Sequence, residues 1–203
     1  MRGLKDKVAI VPGGATKIGQ AVVRAFQAAG VKVMVADIDE SGATLAGDGV
    51  AFLRTDITDD AQVAALVAAT KKAFGRIDFL VNVACTYLDN GADTTRADWL
   101  RALDVNIVGS VMLMQAARDE LAKNKGAIVN FGSISSRVAQ TGRWVYPVSK
   151  AAILQLTRNQ AMDLAGDGIR VNAVSPGWTW SNIMDQLTGG NREKTDRVAA
   201  PFH

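Results

Sequence analysis

Short apolar runs alternate along the chain with longer segments whose apolar residues recur every three to four positions. The short runs are rich in Val, Ile and Leu and predict buried strands at 7–11, 31–37, 50–56, 76–84, 126–133 and 169–177. Helical spacing is found at 18–30, 59–74, about 99–121 and about 146–164. Strands that alternate with crossover helices form a parallel sheet covered on both faces. We therefore expect one domain over 1–203, a doubly wound sheet in a three-layer α/β/α arrangement.

Local signals mark the ends of two predicted helices. Gly30 follows the first helical pattern, where a glycine favours a helix stop. Thr58 precedes the second pattern and is predicted to cap the helix over 59–74. Asp59 and Asp60 then lie in its first turn, where negative charge favours the helix dipole.

Composition narrows the functional classes. The 203 residues are 48% hydrophobic and 21% charged, with a net charge of +3 and no basic stripe, which argues against a nucleic-acid partner. The single cysteine, Cys85, excludes an intrachain disulfide, and with one histidine, His203, we expect no Cys/His metal site. The apolar run near the N-terminus is too short for a signal segment or a membrane span. We therefore expect a cytoplasmic protein without a membrane partner.

A glycine-rich turn lies between the first predicted strand and the first predicted helix. Gly13, Gly14 and Gly19 would let the backbone approach a pyrophosphate at the helix N-terminus, although many strand–helix turns use glycine. Asp37 ends the second predicted strand, where a carboxylate can accept from both ribose hydroxyls of a dinucleotide. It would repel a 2′-phosphate and so favours NAD. Lys17 inside the turn is the argument for NADP, unless its side chain is only solvated.

Tyr146 and Lys150 are spaced to share one face of a helix. Pro147 is tolerable there because a first-turn residue has no intrahelical N–H bond to lose. A free tyrosine has a pKa of about 10 and is a poor base at neutral pH, but a nearby ammonium and a helix N-terminus favour the phenolate. Such a pair could move a proton to or from a substrate hydroxyl. The spacing alone also arises by chance.

Several ordered motifs make the chain resemble the short-chain dehydrogenase/reductase family from residue 4 to about residue 184. They are PGGATKIG at 12–19, DITD at 56–59, VNVAC at 81–85, DVNIVG at 104–109, IVNFGS at 128–133, the pair Tyr146 and Lys150, and IRVNAVSPGW at 169–178. The resemblance implies a Rossmann fold and hydride transfer between NAD and a small secondary alcohol or ketone.

The resemblance also implies roles for individual residues. Tyr146 would be the acid/base, Ser133 would hold the substrate oxygen, Lys150 would bind the nicotinamide ribose, and Asn106 would anchor a water that links Lys150 to solvent. The cofactor-binding residues implied are Gly13, Lys17, Ile18, Gly19, Asp37, Ile38, Asp56, Ile57, Asn82, Ala84, Tyr146, Lys150, Pro176, Gly177 and Thr179. No metal is implied.

Four positions depart from the family pattern. Pro12 replaces a threonine, Lys17 replaces the middle glycine of the turn, and Val83 and Cys85 replace an asparagine and a glycine. These departures motivate an alternative, a dinucleotide-binding regulatory protein without turnover, while the intact catalytic positions argue against it. Cys85 is interpreted as a small core residue, because no histidine is near in sequence to activate it.

The substrate side is predicted from residues that flank the motifs, namely Tyr87, Ser135, Gln140, Arg143, Trp144, Trp178, Trp180 and Met184. Their aromatic and apolar groups suit an alcohol or ketone with an apolar body. Arg137 or Arg143 could instead meet a carboxylate, or both could simply be solvated.

Two further expectations concern the whole molecule. By the resemblance, the helices at 99–121 and 147–164 pack against their copies in a homotetramer, using Val108, Val111, Met112, Ile153, Leu154 and Leu156. Residues 185–203 are polar and contain no segment suited to the seventh strand that the family usually has. We expect them to form a poorly ordered loop over the substrate cleft, in a chain that is C-terminally incomplete.

Overall fold

The computed structural model describes residues 3–200 and is built around one parallel sheet. Its six strands are β1 (Val8–Pro12), β2 (Lys32–Asp37), β3 (Val50–Arg54), β4 (Phe79–Asn82), β5 (Ala127–Phe131) and β6 (Arg170–Val174). Their order is β3-β2-β1-β4-β5-β6, and all neighbouring pairs are parallel. This order confirms the predicted doubly wound fold, and β6 is an edge strand within the described residues.

Helices connect and cover the strands. They are α1 (Lys17–Ala28), α2 (Asp60–Phe74), α3 (Arg96–Leu103), α4 (Gly109–Asn124), α5 (Val145–Asp163), α6 (Asn182–Thr188) and α7 (Arg192–Ala199). The single helix predicted over 99–121 is divided, because Asp104–Val108 forms a π-helical turn between α3 and α4. That wider turn lies beside the candidate catalytic residues, as shown below.

Alternate residues of β1 face two different cores, as the strand period requires. Ile10 packs with residues of α2 and α4 on one side of the sheet, whereas Ala9 and Val11 pack with Val23 of α1 on the other. All three β1 residues are fully buried. The two cores fix the register of the strands, so their carboxyl ends and the loops that follow meet at one edge.

Two local predictions were wrong. Asp59, not Thr58, caps α2, because its carboxylate accepts from the N–H groups of Ala61 and Gln62, while the Thr58 hydroxyl donates to Asp56. The segment predicted as a loop over 185–203 contains α6 and α7 as far as it is described, since Asn191 caps α7 and Gly189 ends α6. Residues 201–203, including His203, lie outside the described residues.

Two negative findings hold for residues 3–200. None of the helices there is long and apolar enough to cross a membrane. The same residues contain no group of three or more His, Cys, Asp and Glu side chains that could hold a metal ion.

Candidate active site

A cavity opens at the carboxyl edge of the sheet, between the glycine turn and the loops after β4, β5 and β6. Of the residues predicted for the site, it is lined by Ile18, Ser133, Tyr146, Lys150, Pro176, Gly177 and Thr179. These come from four separate motifs of the sequence. The fold therefore brings three of the four predicted catalytic residues and the predicted nicotinamide-side residues to one cavity, whereas Asn106 is not among its lining residues.

Lys150 and Tyr146 lie on the first turns of α5, as their spacing predicts. The Lys150 side chain is buried, and its ammonium donates to the carbonyl of Phe131 at 2.8 Å. The same ammonium lies 5.7 Å from the centre of the Tyr146 ring. A fixed cation thus stands beside the phenol without being paired to a carboxylate among the described residues.

Ser133 follows β5 and begins a short 3₁₀ turn. Its hydroxyl donates to Ser135 Oγ at 3.0 Å and accepts from the Ser135 N–H at 3.1 Å. The side chain is buried at the cavity wall. These contacts hold the hydroxyl in one orientation, in a cavity that Tyr146 also lines.

Asn106 lies in the π-helical turn, and both N–H groups of its side-chain amide have partners. Its Oδ1 accepts from the N–H of Thr86 at 2.7 Å, and its Nδ2 donates to Thr86 O at 3.1 Å and to Ser149 Oγ at 3.2 Å. Asn106 therefore joins the loop after β4 to α5.

Cys85 and Tyr87 also line the cavity, and both remain protonated at neutral pH. Burial raises the pKa of the Cys85 thiol, and the nearby Lys150 only partly offsets this. Desolvation raises the pKa of Tyr87 far above its usual value, and the neighbouring Cys85 and Tyr146 raise it further. Tyr87 is therefore not a base, and Cys85, predicted to be in the core, is a cavity residue with an inert thiol.

The glycine turn is packed too tightly for side chains. Gly13 has a φ of +79°, and a Cβ there would lie 2.4 Å from the backbone nitrogen of Ala84. A Cβ on Gly19 would lie 2.2 Å from the carbonyl oxygen of Gly13. The carbonyl of Pro12 accepts from the N–H groups of Val83 and Ala84, so backbone bonds tie the turn to the end of β4.

The turn and the start of α1 fit a dinucleotide pyrophosphate. Thr16 caps α1 and its side chain accepts from the N–H of Gly19. The first N–H groups of a helix have no intrahelical partner and attract anions. Thr16 and Ile18, at this end of the helix, both line the cavity.

The residues predicted to contact the adenosine half end β2 and β3. Asp37 accepts from the N–H of Ala15 at 3.0 Å, which aims its carboxylate at the glycine turn, and Ile38 is exposed beside it. Asp56 accepts from the Thr58 N–H and hydroxyl and pairs with Arg101 at 3.3 Å. Burial raises the pKa of Asp56, but these partners lower it more, so the group is ionised. Ile57 is buried against Gly109.

Asn82 belongs to a buried polar network that the sequence did not reveal. Its Nδ2 donates to Asn130 Oδ1 at 2.8 Å, and Asn130 donates to Thr157 and Gln160 at 3.0 Å each. The network joins β4 and β5 to α5. The side-chain oxygen of Asn82, Oδ1, is buried without a hydrogen-bond partner among the described residues.

Lys17 is not a loop residue as predicted, but the first residue of α1. Its N–H donates to Asn182 Oδ1 at 2.9 Å, and its ammonium forms an ion pair with Asp185. The ammonium also lies 4.0 Å from the centre of the Trp180 ring. Lys17 therefore connects the phosphate end of the site to α6, in the segment that follows the Pro176-Gly177 turn.

Most of the predicted substrate-side residues line the cavity, namely Tyr87, Ser135, Gln140, Arg143, Trp178 and Met184. Trp144 is exposed outside it, and Trp180 borders a second hollow. Arg143 is half-buried at the wall, whereas Arg137 is exposed. The Oε1 atom of Gln140 is buried without a hydrogen-bond partner.

Asp89 is a site residue that the sequence analysis missed. It accepts from the backbone N–H groups of Trp144 and Tyr146. A signal was present, because no Ser, Thr, Asp or Asn stands immediately before Tyr146 to cap the predicted helix.

Comparisons with known proteins agree with this arrangement. A family model described as enoyl-(acyl carrier protein) reductase matches residues 13–202. L-fucose dehydrogenase of Mus musculus is 31% identical over 192 residues, which are 92% of this chain and 70% of that protein. Galactitol 2-dehydrogenase of Agrobacterium fabrum is 37% identical over 183 residues, covering 86% of this chain and 71% of its own. The crystal structure of levodione reductase superposes with a TM-score of 0.85 at 27% identity, covering 96% of this chain and 82% of that one.

Proposed function

The chain belongs to the short-chain dehydrogenase/reductase family, and we propose that it transfers a hydride between NAD(H) and a secondary alcohol or ketone. The family assignment makes it an oxidoreductase related to dehydrogenases that act on alcohols and sugars. One observation supports the proposed hydride transfer best: one cavity is lined by Ser133, Tyr146 and Lys150 together with the Pro176-Gly177 turn.

In this proposal, bound NAD supplies the acceptor for the hydride that leaves the carbinol carbon. Tyr146 accepts the proton of the substrate hydroxyl as the C–H bond breaks, and it returns a proton to the oxygen in the reverse direction. Ser133 lines the same cavity, and its hydroxyl would donate to the same oxygen in place of its present acceptor, Ser135 Oγ. The positive charge of Lys150 stabilises the phenolate of Tyr146. A hydrogen bond to the Phe131 carbonyl fixes the position of the Lys150 ammonium.

The proton taken by Tyr146 must reach solvent. Lys150 can relay it, and Asn106 at the π-helical turn can hold a relay water through its main-chain carbonyl. The side chain of Asn106 serves instead to fix Thr86 and Ser149. The hydrogen bonds of the Asn106 amide support this division of roles, because both of its N–H groups already have protein acceptors.

Asp37 is the reason to propose NAD over NADP. Its carboxylate lies at the glycine turn, where it can accept from ribose hydroxyls and would repel a 2′-phosphate. A free Lys17 ammonium would favour NADP by attracting its 2′-phosphate. In the structure this ammonium forms an ion pair with Asp185 and lies over the Trp180 ring.

For the substrate we propose an alcohol or ketone that carries further hydroxyl groups. Two relatives are named for a sugar and a polyol. The cavity adds Ser135, Arg143 and the unpartnered Oε1 of Gln140 to an otherwise aromatic and apolar wall. A buried acceptor without a donor is costly, and a substrate hydroxyl would satisfy it.

The experiment is a panel of secondary alcohols, polyols, sugars and ketones, followed by the absorbance of reduced nicotinamide with NAD(H) and with NADP(H). Tyr146→Phe should lower kcat by about 10²–10⁴-fold on any substrate that is turned over, because only the transferable proton is lost. Its NAD affinity should match the wild type. Substantial activity in Tyr146→Phe, or no activity of the wild type on the whole panel, would contradict the proposal.

A further inference from the structure

The helix that carries Tyr146 begins without a cap of its own. Trp144 occupies the cap position of α5 and makes no side-chain cap bond. The N–H groups of a first turn have no intrahelical acceptor and need another partner when they are not in water. Pro147 has no N–H, so the groups that need a partner lie at and immediately before Tyr146.

Asp89 supplies that partner from the loop after β4. Its Oδ1 accepts from the N–H of Trp144 at 2.7 Å, and its Oδ2 accepts from the N–H of Tyr146 at 2.8 Å. The donors are 55 and 57 residues away along the chain. A carboxylate at a helix N-terminus is also favoured by the helix dipole. The backbone of Tyr146 is therefore fixed by a residue from a different loop.

The ring and the carbonyl of Tyr146 are fixed as well. Tyr87, two residues before Asp89, stacks on the Tyr146 ring with centroids 4.7 Å apart and planes inclined by 26°. Ser149 donates from its hydroxyl to the carbonyl of Tyr146 at 2.8 Å. One loop segment thus holds the N–H group and the ring of the same residue.

This loop segment is itself anchored. Asn106 makes two hydrogen bonds with the backbone of Thr86 and one with Ser149. Residues 86–89 are thus bonded to Asn106 at one end and to Tyr146 at the other, and Ser149 contacts both Asn106 and Tyr146. Displacement of Tyr146 would therefore break at least one of these hydrogen bonds.

From these contacts we propose that Asp89 is a positioning residue that sets the place of Tyr146 for proton transfer, with Tyr87 aligning the ring. The proposal rests on the proposed role of Tyr146 as acid/base. Asp89 acts through the N-terminus of α5 and not on the substrate. Proton transfer needs donor and acceptor within hydrogen-bond reach, so a small displacement of this helix end affects turnover more than binding.

The test compares Asp89→Ala and Asp89→Asn with the wild type, with Thr95→Ala as a matched control. Thr95 caps α3 in the same manner, by accepting from the N–H of Asp98, but it is not among the residues of the site. Asp89→Ala should lower kcat by about 10–100-fold, which is the effect expected when a catalytic group such as Tyr146 is misplaced by about 1 Å. The substrate KM and the NAD affinity should stay unchanged. Asp89→Asn keeps one carbonyl acceptor and should recover part of the lost kcat. Thr95→Ala should lower the melting temperature without lowering kcat.

Tyr146→Phe, measured alongside, separates the two proposals. An active Tyr146→Phe contradicts the proposed function, whatever Asp89 does. An inactive Tyr146→Phe together with a wild-type kcat in Asp89→Ala overturns the positioning role alone. Equal losses in kcat and in NAD affinity, or the same kcat loss in Thr95→Ala, would overturn it too, since they indicate general destabilisation.

A second pair of variants covers the case in which Asp89→Ala does not fold. Tyr87→Phe keeps the stacked ring and Tyr87→Ala removes it, so kcat should be lower in Tyr87→Ala than in Tyr87→Phe, by a larger factor than KM differs between the two variants. Equal kcat values in the two Tyr87 variants, with a wild-type kcat in Asp89→Asn, would overturn the proposal.

Discussion

At the scale of single residues, the Asp37 carboxylate distinguishes the two nicotinamide cofactors. The N–H of Ala15 holds it at the glycine turn at 3.0 Å. Asp37→Ser should weaken NAD binding by about 10–100-fold, the effect of losing a hydrogen bond to a charged group. It should also improve NADP binding relative to NAD, because the negative charge is removed. Titration of both cofactors by nicotinamide fluorescence measures this.

Asp48→Ser is the control for that substitution. It removes an equal charge from an exposed position in the turn before β3, away from the glycine turn. An unchanged preference for NAD in Asp37→Ser would show that Asp37 does not face the ribose.

Asp78 predicts how stability depends on pH. Its buried carboxylate contacts Arg76 at 2.7 Å, Lys7 at 3.1 Å and the N–H of Val8 at 3.0 Å. Burial raises the pKa of Asp78, but hydrogen bonds from Arg76, Val8 and Lys7 lower it more, so the folded-state pKa lies below the unfolded one. The ionised carboxylate therefore stabilises the fold above the unfolded pKa of about 3.9, and this stability is lost as the pH falls through the folded pKa.

Asp78→Asn should accordingly lower the free energy of unfolding at pH 7 by about 1–3 kcal/mol. The difference from the wild type should shrink as the pH falls below about 4, because the wild-type carboxyl is then protonated first in the unfolded state and, at still lower pH, in the folded protein. Urea denaturation across this pH range is the measurement. A difference that stays constant down to the lowest pH would show that the charge of Asp78 is not responsible.

At the scale of secondary-structure elements, α6 is attached to the N-terminus of α1. Lys17 pairs with Asp185, Asn182 accepts from the Lys17 N–H, and Trp180 donates to Asp185 at 2.6 Å. Hydrogen bonds from Lys17 and then Trp180 lower the pKa of Asp185. This negative charge stands at the helix end that a pyrophosphate would approach.

Asp185→Asn should therefore tighten NAD binding by about 2–5-fold, as expected for one solvent-exposed charge worth up to about 1 kcal/mol. The gain should decrease at high salt because exposed charges are screened. Asp167→Asn is the control, since it removes a similar surface ion pair with Arg118 on another part of the chain. Weaker NAD binding in Asp185→Asn would indicate that the contact supports the cofactor-binding form.

At the scale of the whole molecule, we predict a homotetramer. The helices from α3 to α5 expose large apolar side chains, including Leu100, Val108, Val148 and Met162. Val111, Met112, Leu154 and Leu156 are partly exposed as expected, but Ile153 is buried in the core and is not available for an interface. Burial of such a surface against a second copy would remove apolar area from water.

Light scattering at micromolar concentration tests this prediction. The wild type should be tetrameric, and the double variant Val108→Glu and Met162→Glu should dissociate, because unpaired charges would be buried in the interface. Val138→Glu is the control, since Val138 is also exposed but lies in a loop. A monomeric wild type would contradict the tetramer.

The sequence by itself determined the strands and most of the helices, and it singled out several of the residues that line the cavity. The reason is that strand and helix periodicity, glycine at tight turns and the spacing of Tyr146 and Lys150 are all properties of residues that are close in sequence. The prediction from sequence failed where two neighbouring residues can both cap a helix: Asp59, and not Thr58, caps α2. It also failed in the polar segment of α6 and α7, which has little apolar periodicity for a helix prediction to use.

Only the tertiary structure decided which distant groups meet. The cap of α5 by Asp89, the Asn82–Asn130 network and the pairing of Lys17 with Asp185 join residues that are between 48 and 168 positions apart. Each partner alone is an ordinary polar residue in a loop or at a strand end, and nothing local indicates its contact. The contacts arise because the crossover connections bring the carboxyl ends of parallel strands, and the loops after them, to a single edge of the sheet.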